Sequence, residues 1–220
     1  QLRNLVSGFE GKCLGLADLD QVLERLTLAY VDRAYVLSRA YFPEQDLSDR
    51  VLDIAVVEGQ LEAIQLNGVK RPLQSRMVFP GMLGKPVNLR QVEQGLEQIQ
   101  SMPRTHAQME FVPGSKAGDS LLEVSVLQPK PFELRFTTKN HGNAPTGVWL
   151  SGFEGDVGNL FGFNEVIEFS VSKSLDPSPF SFGYDGDHNL SGTASISVPY
   201  GRWNFELAAN ASRYDMHVPG

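Results

Sequence analysis

The sequence predicts two small α+β modules of β-α-α-β-β order, followed by antiparallel β-structure. Three observations carry that prediction. The stretch Asp18-Leu19-Asp20-Gln21-Val22 recurs as Asn88-Leu89-Arg90-Gln91-Val92. The same 70-residue offset lays Leu26 on Leu96, Pro43 on Pro113, Asp49 on Asp119 and Val51–Val57 on Leu121–Leu127. One gapless offset across a helix, a proline and a strand points to one module used twice. Last, helical periodicity stops at Gln128-Pro129-Lys130-Pro131, and every later apolar segment alternates with period two. The expected domains are 1–59, 60–128 and 129–220.

In the first module, Leu2, Leu5, Val6 and Phe9 have the spacing of a short helix. Asp18 with Gln21 reads as a capping box opening a helix that runs to about Ala34. Leu19, Val22, Leu23, Leu26 and Tyr30 form its apolar stripe. Tyr35–Phe42 and Val51–Val57 are the expected strands, joined by a turn over Asp46–Arg50. Cys13 reads as a small buried side chain.

The second module opens with a strand at Gln60–Leu66, stopped by Asn67-Gly68. Its counterpart would lie before Gln1, so the first module reads as lacking its opening strand. A short helix fits between Pro72 and Pro80, and a longer one over Asn88–Gln100 with Leu89, Val92, Leu96 and Ile99 inward. Gly95 inside that helix costs about 1 kcal/mol against Ala, which implies a close neighbour. Ala107–Val112 and Ser120–Leu127 are the closing strands.

Beyond the prolines, apolar faces run Leu134, Phe136; Ile167, Phe169, Val171; Ala194, Ile196, Val198; and Trp203, Phe205, Leu207, Ala209, Ala211. The opposite faces carry Glu168, Ser170, Ser172, Ser195, Ser197, Asn204, Glu206, Asn210 and Ser212. Such strands suit a soluble sandwich with its apolar face inward, or a transmembrane barrel with that face in lipid. Three features favour the barrel. The polar face is hydrophilic enough for a wet lumen. The turn Pro199-Tyr200-Gly201-Arg202 is tight, whereas Asp176–Leu190 is long. Tyr200 and Trp203 stand where an interfacial aromatic girdle would.

The net charge of −7, with no basic run, argues against a nucleic-acid partner. The chemistry of an enzyme is not legible, and no cofactor or metal set is expected. His106, His141, His188 and His217 are scattered. Asp185-Gly186-Asp187-His188-Asn189 starts like a calcium loop, but Leu190 and Ile196 break the pattern. Gly114-Ser115-Lys116 lacks a phosphate-loop context. Glu154 and Asp156 read as solvated turn carboxylates. The expected activity is binding by strand addition along Ala107, Gln108, Met109, Glu110, Phe111 and Val112, a candidate sheet edge. Met109 and Phe111 share a face. They suit packing under Val92 and Leu96 as well as a partner groove.

Tyr30, Arg39-Ala40-Tyr41-Phe42-Pro43-Glu44-Gln45-Asp46-Leu47 and Val56-Val57-Glu58-Gly59 resemble the first POTRA domain of two-partner secretion transporters of the outer membrane. Asn88–Leu96, Met102-Pro103 and Val112-Pro113-Gly114 resemble the second. Asn140-His141-Gly142, Thr146-Gly147 and Asn159-Leu160-Phe161-Gly162-Phe163-Asn164-Glu165 resemble the opening strands of their barrel. The resemblance implies POTRA domains in the periplasm that bind an unfolded exoprotein through its N-terminal segment, and a lipid-embedded barrel that conducts it. On this resemblance the chain reads as a piece of such a transporter, without plug helix or pore-reaching loop, and with an incomplete barrel. Two rival functions remain at this level: an outer-membrane barrel-assembly factor, and a soluble β-sandwich binding module.

Overall fold

A computed structural model describes residues 2–48, 50–128, 130–142, 146–175, 178, 180 and 188–215. Asp49, Pro129, His217, the calcium-like residues 185–187 and most of the long connection before Leu190 lie outside them. The chain divides into two compact units, residues 1–97 with 107–126, and residues 98–106 with 127–220.

The first unit opens with helix α1 (Leu2–Val6), a 3-10 turn at Ser7–Phe9, and helix α2 (Leu16–Val31). Helix α2 starts earlier than expected. Gly15 is its N-cap, and Asp18 sits at N3, where its Oδ2 accepts the Gly15 N–H at 2.9 Å. The helix start therefore departs from the 70-residue offset, and Asp18 does not open the helix. Carboxylates serve both Ncap and N3, so Asp18 has the sequence signature of a cap while supplying the reciprocal half of the capping box from N3. Val22, Leu26 and Ala40 form the core of this module, with Leu2, Val6, Phe9, Leu23, Ile54 and Val56 packed against them. Cys13 is exposed rather than buried, since it lies in the open loop between the 3-10 turn and α2.

The two strands here are shorter than their sequences suggest. Strand β1 is Arg39–Tyr41 and β2 is Ala55–Val57, paired antiparallel with Ala40 opposite Val56. Upstream of β1, the Tyr35 N–H donates to the Tyr30 carbonyl at 2.9 Å and the Ser38 N–H to Tyr35 at 3.1 Å, so local turns take these amides. Upstream of β2, Gln45 takes the place of a strand. Its amide donates to the Asp53 carbonyl at 2.9 Å and accepts the Asp53 N–H at 2.7 Å. Strand propensity loses where turns and side chains claim the main chain first.

The second module follows the expected order: β3 (Gln60–Leu66), α3 (Pro72–Val78), α4 (Leu89–Gln100), β4 (His106–Pro113) and β5 (Asp119–Leu127). Its sheet runs β3-β5-β4, with β3 and β5 parallel. Gly95 explains itself. A Cβ there would stand 2.2 Å from the Phe79 ring and 2.9 Å from the Val78 carbonyl oxygen. Val92 and Ile99 are fully buried, whereas Leu96 is only half-buried, so the inward stripe centres on Val92, Gly95 and Ile99. Asn88 joins the two modules. Its Oδ1 accepts the Arg90 N–H at 3.2 Å as a helix cap, and its amide donates to the Arg33 carbonyl at 3.0 Å. Beside it, the Leu89 N–H donates to Ala34, whose φ of 68° turns the chain out of α2.

The second unit holds one antiparallel sheet in the order β10-β9-β8-β7-β6. Its strands are β6 (Phe132–Lys139), β7 (Trp149–Gly158), β8 (Val166–Leu175), β9 (His188–Tyr200) and β10 (Trp203–Asp215). The connection from β9 to β10 is a two-residue turn with Gly201 at φ 55°. No helix among the described residues is long and apolar enough to cross a membrane.

Two substitutions test the packing of the second module. Gly95→Ala should lower stability by about 1–2 kcal/mol, because overpacking against the Phe79 ring outweighs the gain in helix propensity. Val92→Asp should cost several kcal/mol as a buried unpaired charge. Urea denaturation followed by circular dichroism reads both, and unchanged midpoints would refute this core.

Candidate functional site

In the first unit, β4 is an outer strand of its sheet, as expected for Ala107–Val112. Ala107 is 5% exposed, and Met109, Phe111 and Val112 are half-buried. Met109 and Phe111 share the face of Ala107, so they pack within the module while keeping part of their surface free. Gln108 and Glu110 point to solvent. Among the described residues no strand pairs with the outer side of β4, an edge that an added strand could join over Gln108–Val112.

In the second unit the pairing register sorts the two faces. One face aligns Leu134 with Gly155, Phe136 with Phe153, Gly155 with Phe169, Phe153 with Val171, Phe205 with Val198 and Leu207 with Ile196. Its large side chains are uncovered: Leu134 is 61% exposed, Phe205 61% and Leu207 73%. Among the described residues no second sheet packs over this face. Tyr200 and Trp203 are paired beside the tight turn, and the Arg202 guanidinium lies over the Trp203 ring, 5.5 Å from its centroid.

The opposite face is polar and internally bonded. Ser170 and Thr193 hydroxyls lie 2.7 Å apart, and those of Ser172 and Ser191 2.9 Å. An ionic row crosses the first two strands. Arg135 reaches Glu133 at 2.8 Å and Glu154 at 2.9 Å. Arg104, in the loop after α4, pairs with Glu133 at 2.9 Å and with Asp156, and it donates to the Lys130 carbonyl at 3.2 Å. The Arg104 backbone has a φ of 56°, a left-handed turn residue held in place by these contacts.

Glu154 and Asp156 are therefore strand residues in ion pairs, not solvated turn carboxylates. The reason is β7 itself. Gly152, Gly155 and Gly158 interrupt its apolar alternation, so the strand and its carboxylates escaped the period-two reading. A charged residue two places from another, opposite Arg135 on a neighbouring strand, was the missed signal.

The motif Asn159–Glu165 joins β7 to β8 as an ordered loop. Glu165 is fully buried, and its carboxylate accepts the N–H groups of Phe161 at 2.5 Å and Phe163 at 3.1 Å. Asn159 Oδ1 accepts the Asn164 N–H at 3.0 Å, and both asparagines have positive φ. These polar residues fold the turn. His106 and His141 are exposed, and His188 pairs with Asp215 at 3.1 Å. Ser115 donates its N–H to Glu62 at 2.6 Å, a turn contact within the first unit.

Comparison with known proteins matches three family models. Residues 1–59 match the ShlB-type POTRA domain, residues 60–113 a POTRA domain, and residues 118–220 the haemolysin secretion/activation protein ShlB/FhaC/HecB. The outer membrane transporter CdiB of Dickeya dadantii is 34% identical over 96% of this chain and 36% of its own length. The hemolysin transporter protein ShlB of Serratia marcescens is 28% identical over 96% of this chain and 36% of its own. Among solved structures, CdiB from Escherichia coli superposes with a TM-score of 0.83 at 32% identity, covering 97% of this chain and 39% of that one. The chain thus spans about a third of the length of the curated relatives it matches.

The two faces of the sheet make opposite predictions for charge. Leu207→Arg, on the apolar face, should weaken insertion into lipid vesicles by about 2–4 kcal/mol. Asn210→Arg, on the polar face of the same strand, should leave it near the unsubstituted level. Flotation with phosphocholine vesicles compares them, and equal loss for both would reject the lipid-facing assignment.

Proposed function

We propose that this chain, a member of the two-partner secretion transporter family, forms the partner-binding modules and the opening wall of a translocator that exports one large exoprotein across the bacterial outer membrane. The POTRA modules stand in the periplasm and the sheet stands in the membrane. The observation that carries this reading is the single sheet with an uncovered apolar face and a hydrogen-bonded polar face. A soluble sandwich would cover Leu134, Phe205 and Leu207 with a second sheet. Lipid covers them without one, while Ser170, Thr193, Ser172 and Ser191 face a wet lumen. The outer sides of β6 and β10 have no partner among the described residues. In hydrocarbon such edges call for further strands, since each unpaired group costs several kcal/mol.

The exoprotein engages the second module through its N-terminal segment, by adding a strand to β4 along Ala107–Val112. Main-chain hydrogen bonds give the affinity, and Met109 and Phe111 offer apolar surface beside the ladder. No energy source is needed at this step, because the ladder exchanges main-chain hydrogen bonds to water for main-chain pairing, with a modest net gain for each bond.

Met109→Pro tests the ladder. Proline removes one donor and fixes φ, so it should abolish binding of the exoprotein's N-terminal segment. Met109→Ala keeps the ladder and should weaken binding by only a few-fold. Titration of the full chain in detergent, with folding checked by circular dichroism, compares them. If Met109→Pro stays folded and binds like Met109→Ala, recognition lies elsewhere than β4.

A further inference from the structure

The other outer strand of the second module borders a feature that the β4 reading does not use. A groove of about 380 Å³ lies between β3 and α3, all within the first unit. Its apolar lining includes Ala63, Ile64 and Phe79, each buried. The outer side of β3 is only half covered. Near its start, the Leu61 N–H donates to the Lys85 carbonyl at 3.2 Å and the Leu61 carbonyl accepts the Gly84 N–H at 2.8 Å. Near its end, Leu66 pairs with Val69. Between them the strand has no outer ladder partner among the described residues, and by strand alternation the Ile64 main chain faces that open side.

Two further observations point to an occupant. Ser75 is 7% exposed and lines the groove, yet its Oγ has no hydrogen-bond partner. A buried hydroxyl left unpaired is a cost to the fold, and it marks the helix side of the groove as polar. The rim is also cationic in a chain of net charge −7: Lys70, Arg71 and Arg76 line it. Arg71 and Arg76 make no ion pair among the described residues. The one carboxylate there, Glu62, is committed elsewhere. The Ser115 N–H holds it below the usual carboxylate range.

We propose that this groove is a second docking track, and that it takes an extended segment of the exported chain in which apolar residues alternate with carboxylates. The segment's main chain pairs with β3 at Ile64. Its apolar side chains enter the groove over Ala63, Ile64 and Phe79, and its carboxylates meet Arg71 and Arg76. The inference rests on the exported exoprotein as partner, and it adds the chemistry of the segment that is recognised.

The test uses the full chain in detergent and labelled decapeptides alternating valine with aspartate or valine with lysine, read by fluorescence anisotropy. The aspartate peptide should bind, and the lysine peptide should bind far more weakly. Arg71→Glu with Arg76→Glu should weaken the aspartate peptide by roughly tenfold or more. Arg71→Gln with Arg76→Gln, a milder pair, should weaken it in the same direction. In a Met109→Pro background, which removes the β4 ladder, the preference for the aspartate peptide over the lysine peptide should persist. If neither peptide binds, if both bind equally, or if the arginine variants bind as the unsubstituted chain does, the groove is not this track. Loss only with Met109→Pro would overturn the groove and keep the β4 ladder. Loss only with the arginine pair would keep the groove and leave β4 without support from this peptide.

Discussion

An antiparallel sheet that is apolar on one side must put that side somewhere other than water. In the second unit the five strands align Phe136 with Phe153, Phe205 with Val198 and Leu207 with Ile196 on one face, and nothing described lies over them. Each large side chain withdrawn from water is worth about 1.5–3 kcal/mol, so a row of them is a strong demand for an apolar medium. The same pleat delivers Ser170, Ser172, Thr193 and Glu206 to the opposite face. Pairing register alone therefore divides the sheet into an apolar wall and a polar wall. The hydroxyl pairs and the ionic row through Arg104 and Arg135 settle the polar groups that the polar wall carries.

The first unit has a different character, a small sheet whose outer strands are β3 and β4. Its second module is drawn tight where Gly95 lets α4 approach Phe79, and it is tied to the first through Asn88 and Arg33. A firmly packed helical layer lets strands keep unpaired main chain on their outer sides without collapsing onto it. Both outer strands use this. Strand β4 offers a continuous edge, and β3 offers a short gap between covered ends, beside an apolar groove with a cationic rim. The two edges differ in chemistry: β4 presents main chain, whereas the groove beside β3 adds charge and side-chain volume.

Much of this was legible from residue order. The modules, α3, α4 and β3 follow from proline and glycine punctuation and from apolar spacing, and the last two strands follow from strict alternation. Gly95 inside a helix correctly announced a close neighbour. The errors have local causes. Asp18 resembles a cap because carboxylates serve both Ncap and N3. Strands β1 and β2 shrank because turns at Tyr35 and the Gln45 side chain took their main-chain partners. Strand β7 escaped because three glycines diluted its alternation, and Glu154 and Asp156 were misplaced with it.

The sequence by itself determined the two-module order and the two-faced character of the later strands, because those depend on spacing along the chain, and its motifs carried the family resemblance. Tertiary structure decided what depends on neighbours distant in sequence. It gave Arg104 its partners on β6 and β7, left Leu96 half-buried behind Val92, and left Ser75 without a partner beside β3. Periodicity also left open whether the apolar strand faces turn inward or outward, and the pairing register shows what it could not: among the described residues no second sheet covers Leu134, Phe205 and Leu207.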